Sequence, residues 1–416
     1  MNMKRRVVIT GMGVITPVGH NVQEMWDAVS QGKCGINKIF GFENEQLPIH
    51  VAGQVKDFDP TAFGMSKSDV RHYDIFSQYA VAAAGEAIKD SGLICGENIE
   101  PHRLGVYMGS GVGGMNTFIT QTQNCTERGA RGVSPLFIPM MISNMAGANT
   151  AIKYNAQGPN MTINSACASG TSAVGEAYLA IQSGRADAIL AGGAESTINM
   201  LAFGGFANCR ALATSEDPLA ACTPFDKNRG GFVMGEGAGI LVVEELEHAL
   251  NRGANIIAEV VGYGHSCDAY HYTAPRPDGT VTARCISDAL AEANYQAGEN
   301  LYINAHGTGT PMNDAAETQA IKIALGDEAQ RASISSTKSM MGHMLGAAGA
   351  VELIISALAL QHNLVPPTMG LTEPDPACDL NYTPLQAQTR ELDIAISNSL
   401  GFGGHNATVA LRKYKA

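Results

Sequence analysis

The sequence predicts an α/β fold made of a duplicated unit with pseudo-twofold symmetry. Short β-branched runs alternate with longer Ala- and Leu-rich runs along the chain, the pattern of strands alternating with helices. The two halves echo each other. LGVYMGSGVGG, from residue 104, is matched by LYINAHGTGT, from 301. MTINSACASGTSAVGEAYLAI, from 161, is matched by ASISSTKSMMGHMLGAAGAVELI, from 332. A glycine content of 47 residues supplies tight turns and close backbone approaches. The units divide as 1–253 and 254–416, and sites are expected where their loops meet.

In chain order, residues 5–10 alternate into a strand and 22–30 form a helix carrying the only Trp, Trp26. Residues 34–64 read as irregular, with Pro48, Pro60 and several Gly and Asn. An Ala-rich helix over 79–90 stops near Ser91-Gly92, and a strand over 104–108 enters a Gly-rich loop at 109–114. Residues 115–160 read as a long insertion whose start, NTFITQTQNC, is polar and irregular. A strand over 161–163, a small-residue helix over 171–181, strands over 188–191 and 239–244, and a helix over 246–252 complete the first unit. The second unit follows with strands at 256–261, 301–304, 332–335, 394–397 and 408–411. Its helices span 281–294, 315–325 and 345–360, and the Pro-rich stretch 363–390 reads as a surface connection.

Composition narrows the function. Hydrophobic residues make up 45% and charged residues 16% of 416, a globular balance. A net charge of −12 argues against nucleic acid, which needs a basic footprint, so an acidic partner must dock on a local basic patch. The nine cysteines include no C-x-x-C pair and are odd in number, which fits a reducing, cytoplasmic setting. The start, MNMKRRVVITGMG, has basic residues before an apolar run, but Gly11 and Gly13 break that run and a first strand is the better reading. The apolar stretch 347–360 contains Glu352 and is too short to span a bilayer.

Cys167 lies in NSACASG, at the turn from a strand to a helix. Amides at a helix start are unpaired and lie at the positive end of the helix dipole, which lowers a thiol pKa and favours a thiolate nucleophile. The alternative is a buried structural cysteine. Gly109 to Gly114 fits G-x-G-x-x-G, but a dinucleotide site needs a helix next and an acidic residue about 20 residues on. Close packing in a site is the better reading. His306 follows a strand directly, and His343 stands five residues after Lys338. Zinc held by Cys167 and both histidines is one alternative, without the short-range ligand pairs usual for zinc. Acyl chemistry is another: Cys takes an acyl group as a thioester, and two imidazoles hold a carbonyl oxygen where charge develops. Gly-Phe-Gly-Gly at 401–404 is either a hairpin turn or a mobile loop offering amides to an oxyanion.

Taken together, SACASG at Cys167, NAHGTGTPMND at His306, SSTKSMMGHMLGAAGAVE at Lys338 and His343, and GFGG at 401–404 resemble the β-ketoacyl-[acyl-carrier-protein] synthases, in particular their synthase II branch. The likeness runs over essentially the whole chain. It implies a thiolase-like fold, with two pseudo-symmetric halves in a layered αβαβα sandwich. It implies decarboxylative condensation of a malonyl thioester with a Cys-bound acyl chain in fatty acid elongation. The alternative is a ketosynthase of a specialised type II polyketide or polyene pathway. Cys167 is then the nucleophile, and His306 and His343 support decarboxylation. Lys338 organises the site with Glu317 as its carboxylate partner, and the amides of Cys167 and Phe402 form the oxyanion hole. Thr308 and Thr310 match hydroxyls that bind the phosphopantetheine arm. Phe402 matches a gate, with Asp268 and His271 on a second mobile loop. Val112, Phe137, Ile138, Phe206 and Leu345 would line the acyl pocket, Phe137 and Ile138 reaching in from the other subunit of a homodimer. Lys67, Arg71, Arg131 and Arg210 match positions that dock acidic acyl carrier protein, or are ordinary solvated charges. No metal or redox cofactor is implied, nor any membrane. Non-catalytic partners of ketosynthases lack the nucleophile present here, and degradative thiolases carry a second catalytic Cys absent from this late motif. Leu400 stands where Phe is common, His405 where Thr is common and Val112 where Ile is frequent, the last implying tolerance of longer or bulkier chains.

Overall fold

The computed structural model describes residues 4–42 and 46–415. Part of the segment expected to be irregular, 43–45, lies outside the described residues, as do 1–3 and 416. Ten strands form one continuous sheet: β1 (Val7–Ile15), β2 (Leu104–Gly109), β3 (Asn160–Ile163), β4 (Ala188–Glu195), β5 (Gly237–Glu245), β6 (Ala258–Cys267), β7 (Leu301–Asn304), β8 (Ser333–Ser335), β9 (Ile394–Gly401) and β10 (His405–Arg412). Their order is β8-β7-β9-β10-β6-β1-β5-β4-β2-β3.

Numbered within its own unit, each half has the same order, third-second-fourth-fifth-first. The second strand of each half pairs in parallel with the third and the fourth. The fourth and fifth run antiparallel, as do the fifth and first. The halves join through Val7–Ile9 paired with Ala258–Val260. The echo read in the sequence is therefore an echo of topology.

The helices that place the site are α1 (Val22–Ser30), α2 (Ile75–Ser91), α3 (Met115–Arg128), α4 (Ser169–Gln182), α5 (Thr280–Glu292), α6 (Pro311–Leu325) and α7 (Ala348–His362). α4 and α7 pack against each other and against strands of both half-sheets, forming the middle layer. α2 covers the outer face of the first half, and α5, with α6 beside it, covers the second. This is the αβαβα arrangement. The central helices start side by side because Gly170 and Gly349 lack Cβ atoms. A Cβ on Gly170 would lie 2.8 Å from the Gly346 carbonyl, and one on Gly349 would lie 2.0 Å from Thr171 Oγ1.

α7 is buried from Ala348 to Leu360, so it is apolar all round. With the preceding turn, residues Leu345–His362 reach 18 residues and meet the length and apolarity of a membrane span, more than the sequence suggested. The segment is 89% buried inside the protein, between the two half-sheets, which accounts for its composition. Truncating a core residue such as Leu353 to Ala is expected to cost about 2–5 kcal/mol.

Two expectations are corrected here. β1 runs through Gly11 and Gly13, where α2 packs so close that a Cβ would meet the carbonyls of Ala87 and Ala83 at 2.2 and 2.0 Å. The polar stretch after Gly114 is the helix α3, not irregular chain. Thr120, Thr122 and Thr126 each donate a hydroxyl to the carbonyl four residues back, which satisfies these side chains within the helix.

Candidate active site

The turn after β3 is fixed by its own side chains. Ala166 adopts a left-handed backbone, φ 51°. Ser169 Oγ accepts from the Ser165 amide at 3.0 Å and donates to the Ala166 carbonyl at 2.6 Å. Cys167 sits in the short 3-10 turn that leads into α4. The backbone amides of Cys167 and Phe402 favour its thiolate form. The expected lowering of the thiol pKa is overturned. Burial pushes Cys167 up to about 12, against the opposing pull of Lys338 and the two amides.

His306 follows β7, and its loop is held by Glu317 of α6. Glu317 accepts from the His306 and Gly307 amides, both at 2.8 Å, and Ser336 Oγ donates to the Gly307 carbonyl at 2.6 Å. The backbone of His343 is fastened to Val233 and Gly235, at 2.7 and 2.8 Å. The two imidazoles meet edge to face, centroids 5.2 Å apart at 84°, and Phe232 stands edge-on to His343 at 5.3 Å. His306 Nδ1 and both ring nitrogens of His343 are buried without a hydrogen-bond partner among the described residues. Burial, then the charge of Lys338, holds both rings well below the usual imidazole range, so both are neutral.

Lys338 is buried at the start of the short helix after β8, and its Nζ lies 2.5 Å from Glu352 Oε1. Its partner is therefore Glu352 of α7, not Glu317. Glu317 is committed to the two backbone amides instead. A signal for Glu352 was present in the sequence: a lone carboxylate in an otherwise apolar, buried helix needs a buried cation.

A cavity of about 280 Å³ brings these groups together. Cys167, His306, His343, Phe402, Thr308 and Thr310 line it. Thr308 and Thr310 share a hydrogen bond of 3.0 Å. Phe206 and Asp268 also face it, and Phe206 packs on Phe402 with centroids 6.1 Å apart. The GFGG segment is the β9–β10 turn, and it is tied to the neighbouring loop. The Gly403 amide donates to Tyr272 O and the Asp268 amide to Gly404 O, each at 2.8 Å. His271 sits on that loop, exposed and outside the cavity lining, its Nδ1 accepting from the amides of Thr273 and Ala274.

Other expected residues lie apart. Leu345 is buried in an apolar cluster that reaches Cys167 and Phe206, but it does not line the cavity. Val112 and Ile138 are exposed, and Phe137 packs on Phe118 at 6.3 Å. Within one chain these three do not reach the cavity. Arg210, exposed with φ 54°, stands at the cavity. Lys67 and Arg71 lie one turn apart on the exposed helix Lys67–His72, and Arg131 is exposed on Ala130–Gly132. The Gly-rich loop at 109–114 is followed by a helix after all, yet its amides are already occupied. Glu195 accepts from the amides of Gly111 and Val112 at 2.6 and 3.3 Å.

A thiol that shares a cavity with the Phe402 turn and two neutral imidazoles suits attack on a thioester with stabilisation of an oxyanion or enolate. The comparisons agree with that chemistry. The family model for the β-ketoacyl synthase N-terminal domain matches residues 4–249, and that for the β-ketoacyl synthase C-terminal domain matches 257–372. A 3-oxoacyl-[acyl-carrier-protein] synthase 2 of Synechocystis is 47% identical over 413 residues, 99% of each chain. One from Staphylococcus aureus is 47% identical over 416 residues, the full length of both. Among solved structures, the ishigamide ketosynthase/chain length factor aligns with a TM-score of 0.92 at 36% identity, covering 99% of this chain and all of that one. A type II polyketide ketosynthase, in complex with its acyl-carrier protein and bound to a hexaketide, aligns with a TM-score of 0.91 at 34% identity and the same coverage. The chain belongs to the β-ketoacyl synthase family and has its thiolase-like fold.

Proposed function

We propose that this chain is a 3-oxoacyl-[acyl-carrier-protein] synthase of type II, an acyltransferase that elongates fatty acyl chains. The carrying observation is the single cavity shared by Cys167, the Phe402 loop and the paired rings of His306 and His343.

In the first half-reaction, Cys167 Sγ attacks the acyl thioester. The C–S bond to the carrier breaks, and overall the thiol proton goes to the leaving sulfur. In the second, a malonyl thioester places its carbonyl oxygen between the two imidazoles. The bond to the carboxylate breaks, carbon dioxide leaves, and the electron pair becomes an enolate. Neutral imidazoles suit this step, since they donate hydrogen bonds to the enolate oxygen without exchanging a full charge. The enolate attacks the acyl-Cys carbonyl, whose oxygen is received by the amides of Cys167 and Phe402. The C–S bond then breaks, Cys167 leaves as the thiolate, and a proton from solvent restores the thiol. Loss of carbon dioxide drives the sequence, and no metal or redox cofactor enters it. The ion pair of Lys338 with Glu352 organises the site, and Glu317 holds the backbone that carries His306.

Thr308 and Thr310 take the phosphopantetheine arm. Phe402 gates the acyl pocket, coupled to the loop of Asp268 through the hydrogen bonds between their backbones. Arg210 at the mouth, with Lys67, Arg71 and Arg131, docks the acidic carrier. The protein works as a homodimer in which Phe137 and Ile138 complete the partner's acyl pocket. The half-exposed edge strand β3 and the exposed Ile138 support that reading. Nine unpaired cysteines support a cytoplasmic setting. Identity of 47% over the full length to 3-oxoacyl-[acyl-carrier-protein] synthases 2 supports fatty acid elongation.

The test is incubation with malonyl- and acyl-carrier protein and mass measurement of the product. A 3-oxoacyl carrier two carbons longer is expected, with the acyl group trapped on Cys167 when malonyl carrier is withheld. Acylation at another residue, or no elongation, would sink the assignment.

A further inference from the structure

The duplicated unit contains a second elbow that the mechanism does not use. Ala166 and Leu345 both adopt a left-handed backbone, φ 51° and 46°. Each opens a 3-10 turn that leads into a central helix. Gly346 therefore stands in the second unit where Cys167 stands in the first. Its amide is already engaged, donating to Glu195 Oε2 at 3.1 Å. Glu195 ends β4, whose counterpart β9 ends beside Phe402, the residue whose amide faces Cys167.

Glu195 is wholly buried and receives four donors: the amides of Gly346, Gly111 and Val112, and Ser110 Oγ at 3.2 Å. Ser110 Oγ itself accepts from the Gly113 amide at 3.1 Å, so its proton is free for Glu195. The carboxylate thus fills the twin of the reacting site. Burial pushes it up to about 7 and the amides pull it down.

Both segments that it fastens lie next to the nucleophile. Leu345 packs in the apolar cluster that includes Cys167 and Phe206. The carbonyl of Gly111 accepts from Asn164 Nδ2 at 3.2 Å, three residues before Cys167. A Cβ on Gly111 would lie 2.8 Å from Glu195 Oε2 and 3.7 Å from the Ala166 carbonyl.

We propose that Glu195 is a positioning residue for the acyl chain: it locks the Ser110–Gly113 loop to the Leu345–Gly346 turn, making one rigid wall beneath Cys167. This rests on the reading of Cys167 as the acyl-bearing nucleophile. Leu345 of that wall lies behind the cavity lining, in the cluster against which Cys167 and Phe206 pack, so only a chain long enough to press past the lining meets it, and a short chain ends before it. Malonyl decarboxylation depends on His306 and His343, which Glu195 does not touch.

The experiment compares wild type, Glu195→Gln and Ser110→Ala with dodecanoyl- and butyryl-carrier protein, alongside malonyl decarboxylation. Glu195→Gln keeps the volume but turns an amide nitrogen toward the backbone donors. Its kcat/KM for dodecanoyl carrier is expected to fall about tenfold or more, with butyryl elongation and decarboxylation within about threefold of wild type. Ser110→Ala, which removes one donor of the four, should shift the same ratio less. A folded Glu195→Gln with both chains equally impaired, or an unchanged ratio in both variants, would overturn the proposal. Failure of wild type to acylate Cys167 with either chain would instead overturn the assignment of the nucleophile.

Discussion

The two units share one strand order and one elbow, yet they carry different chemistry. In the first unit the elbow follows β3 directly and places Cys167 at the start of α4. In the second, residues 336–344 are inserted between β8 and the elbow, and this extra turn supplies Lys338 and His343. The elbow itself keeps only Gly346, whose amide is bound by Glu195. In the mechanism proposed above, the first unit contributes the nucleophile, and the second contributes both imidazoles and the Phe402 amide. Neither unit contains a complete site, so the chemistry depends on the packing of α4 against α7.

That division can be broken from either side. Cys167→Ala removes what the first unit supplies, and condensation should fall by roughly 10⁴-fold or more. Carbon dioxide release from malonyl carrier should persist in this variant, because the imidazoles are untouched. His343→Ala should do the converse: acylation of Cys167 survives, while decarboxylation drops by roughly 10²–10³-fold. Product mass and carbon dioxide release read the two halves separately. Full condensation by Cys167→Ala would end the comparison.

The buried ion pair gives a second, structural test within the later unit. Glu352→Leu strands the Lys338 ammonium in the core and should cost about 3–5 kcal/mol. Adding Lys338→Met removes the stranded charge and should restore most of that loss. Combining Lys338→Met with Glu317→Leu should not, because Glu317 serves the amides of His306 and Gly307. Urea unfolding measures all of these. Equal recovery with Glu317→Leu would return the partnership to that residue.

A smaller effect is expected at Val112, which lies in the loop held by Glu195 and belongs to the first unit. Val112→Ile adds one methylene, worth about tenfold in discrimination if the side chain meets the acyl chain at the subunit boundary. Chain-length profiling should then show a shift toward shorter substrates. An unchanged profile would mean that Val112 serves the wall only through its amide.

Much of this was legible in the sequence because it is written in local pattern. The strand ends and the doubled motif bring His306 and His343 near Cys167, and the resemblance of the four motifs to the family adds Lys338 and Phe402. What was illegible depends on tertiary distance. Glu317 and Glu352 both lie on helices of the second unit, and only the packing of α7 against the Lys338 turn decides between them. The polar helix α3 was hidden because its threonines are satisfied by carbonyls of their own helix, which composition does not display. The thiol of Cys167 obeys burial over its place at a helix start, and burial is a property of the assembled layers. Phe137 and Ile138, read from the sequence as serving the other subunit, lie outside the cavity of their own chain, and Val112, read as lining the pocket, lies outside it too.

The smallest expected effect reads the imidazoles of the second unit by pH. His306 and His343 belong to the second unit, and burial followed by the charge of Lys338 holds both well below the ordinary imidazole value of 6.5. Below pH 6.5 the unfolded chain takes up protons that the folded chain refuses, so these two rings lower stability as the solution is acidified. Buried carboxylates act in the opposite sense in both units: Glu195 and Glu236 in the first, Glu317 and Glu352 in the second. Burial pushes each up to about 7, so the folded chain binds more protons than the unfolded one between about 4.5 and 7. Acidification through that window therefore relieves them. His343→Phe removes one imidazole and leaves those carboxylates in place. Urea unfolding at a series of pH values should show wild type losing more stability than His343→Phe between pH 6.5 and 5. Parallel curves would show that His343 takes up its proton in the folded protein as readily as in the unfolded chain, and a wild type that loses less stability than His343→Phe would show a protonated ring; either result would end the claim that burial keeps this imidazole neutral.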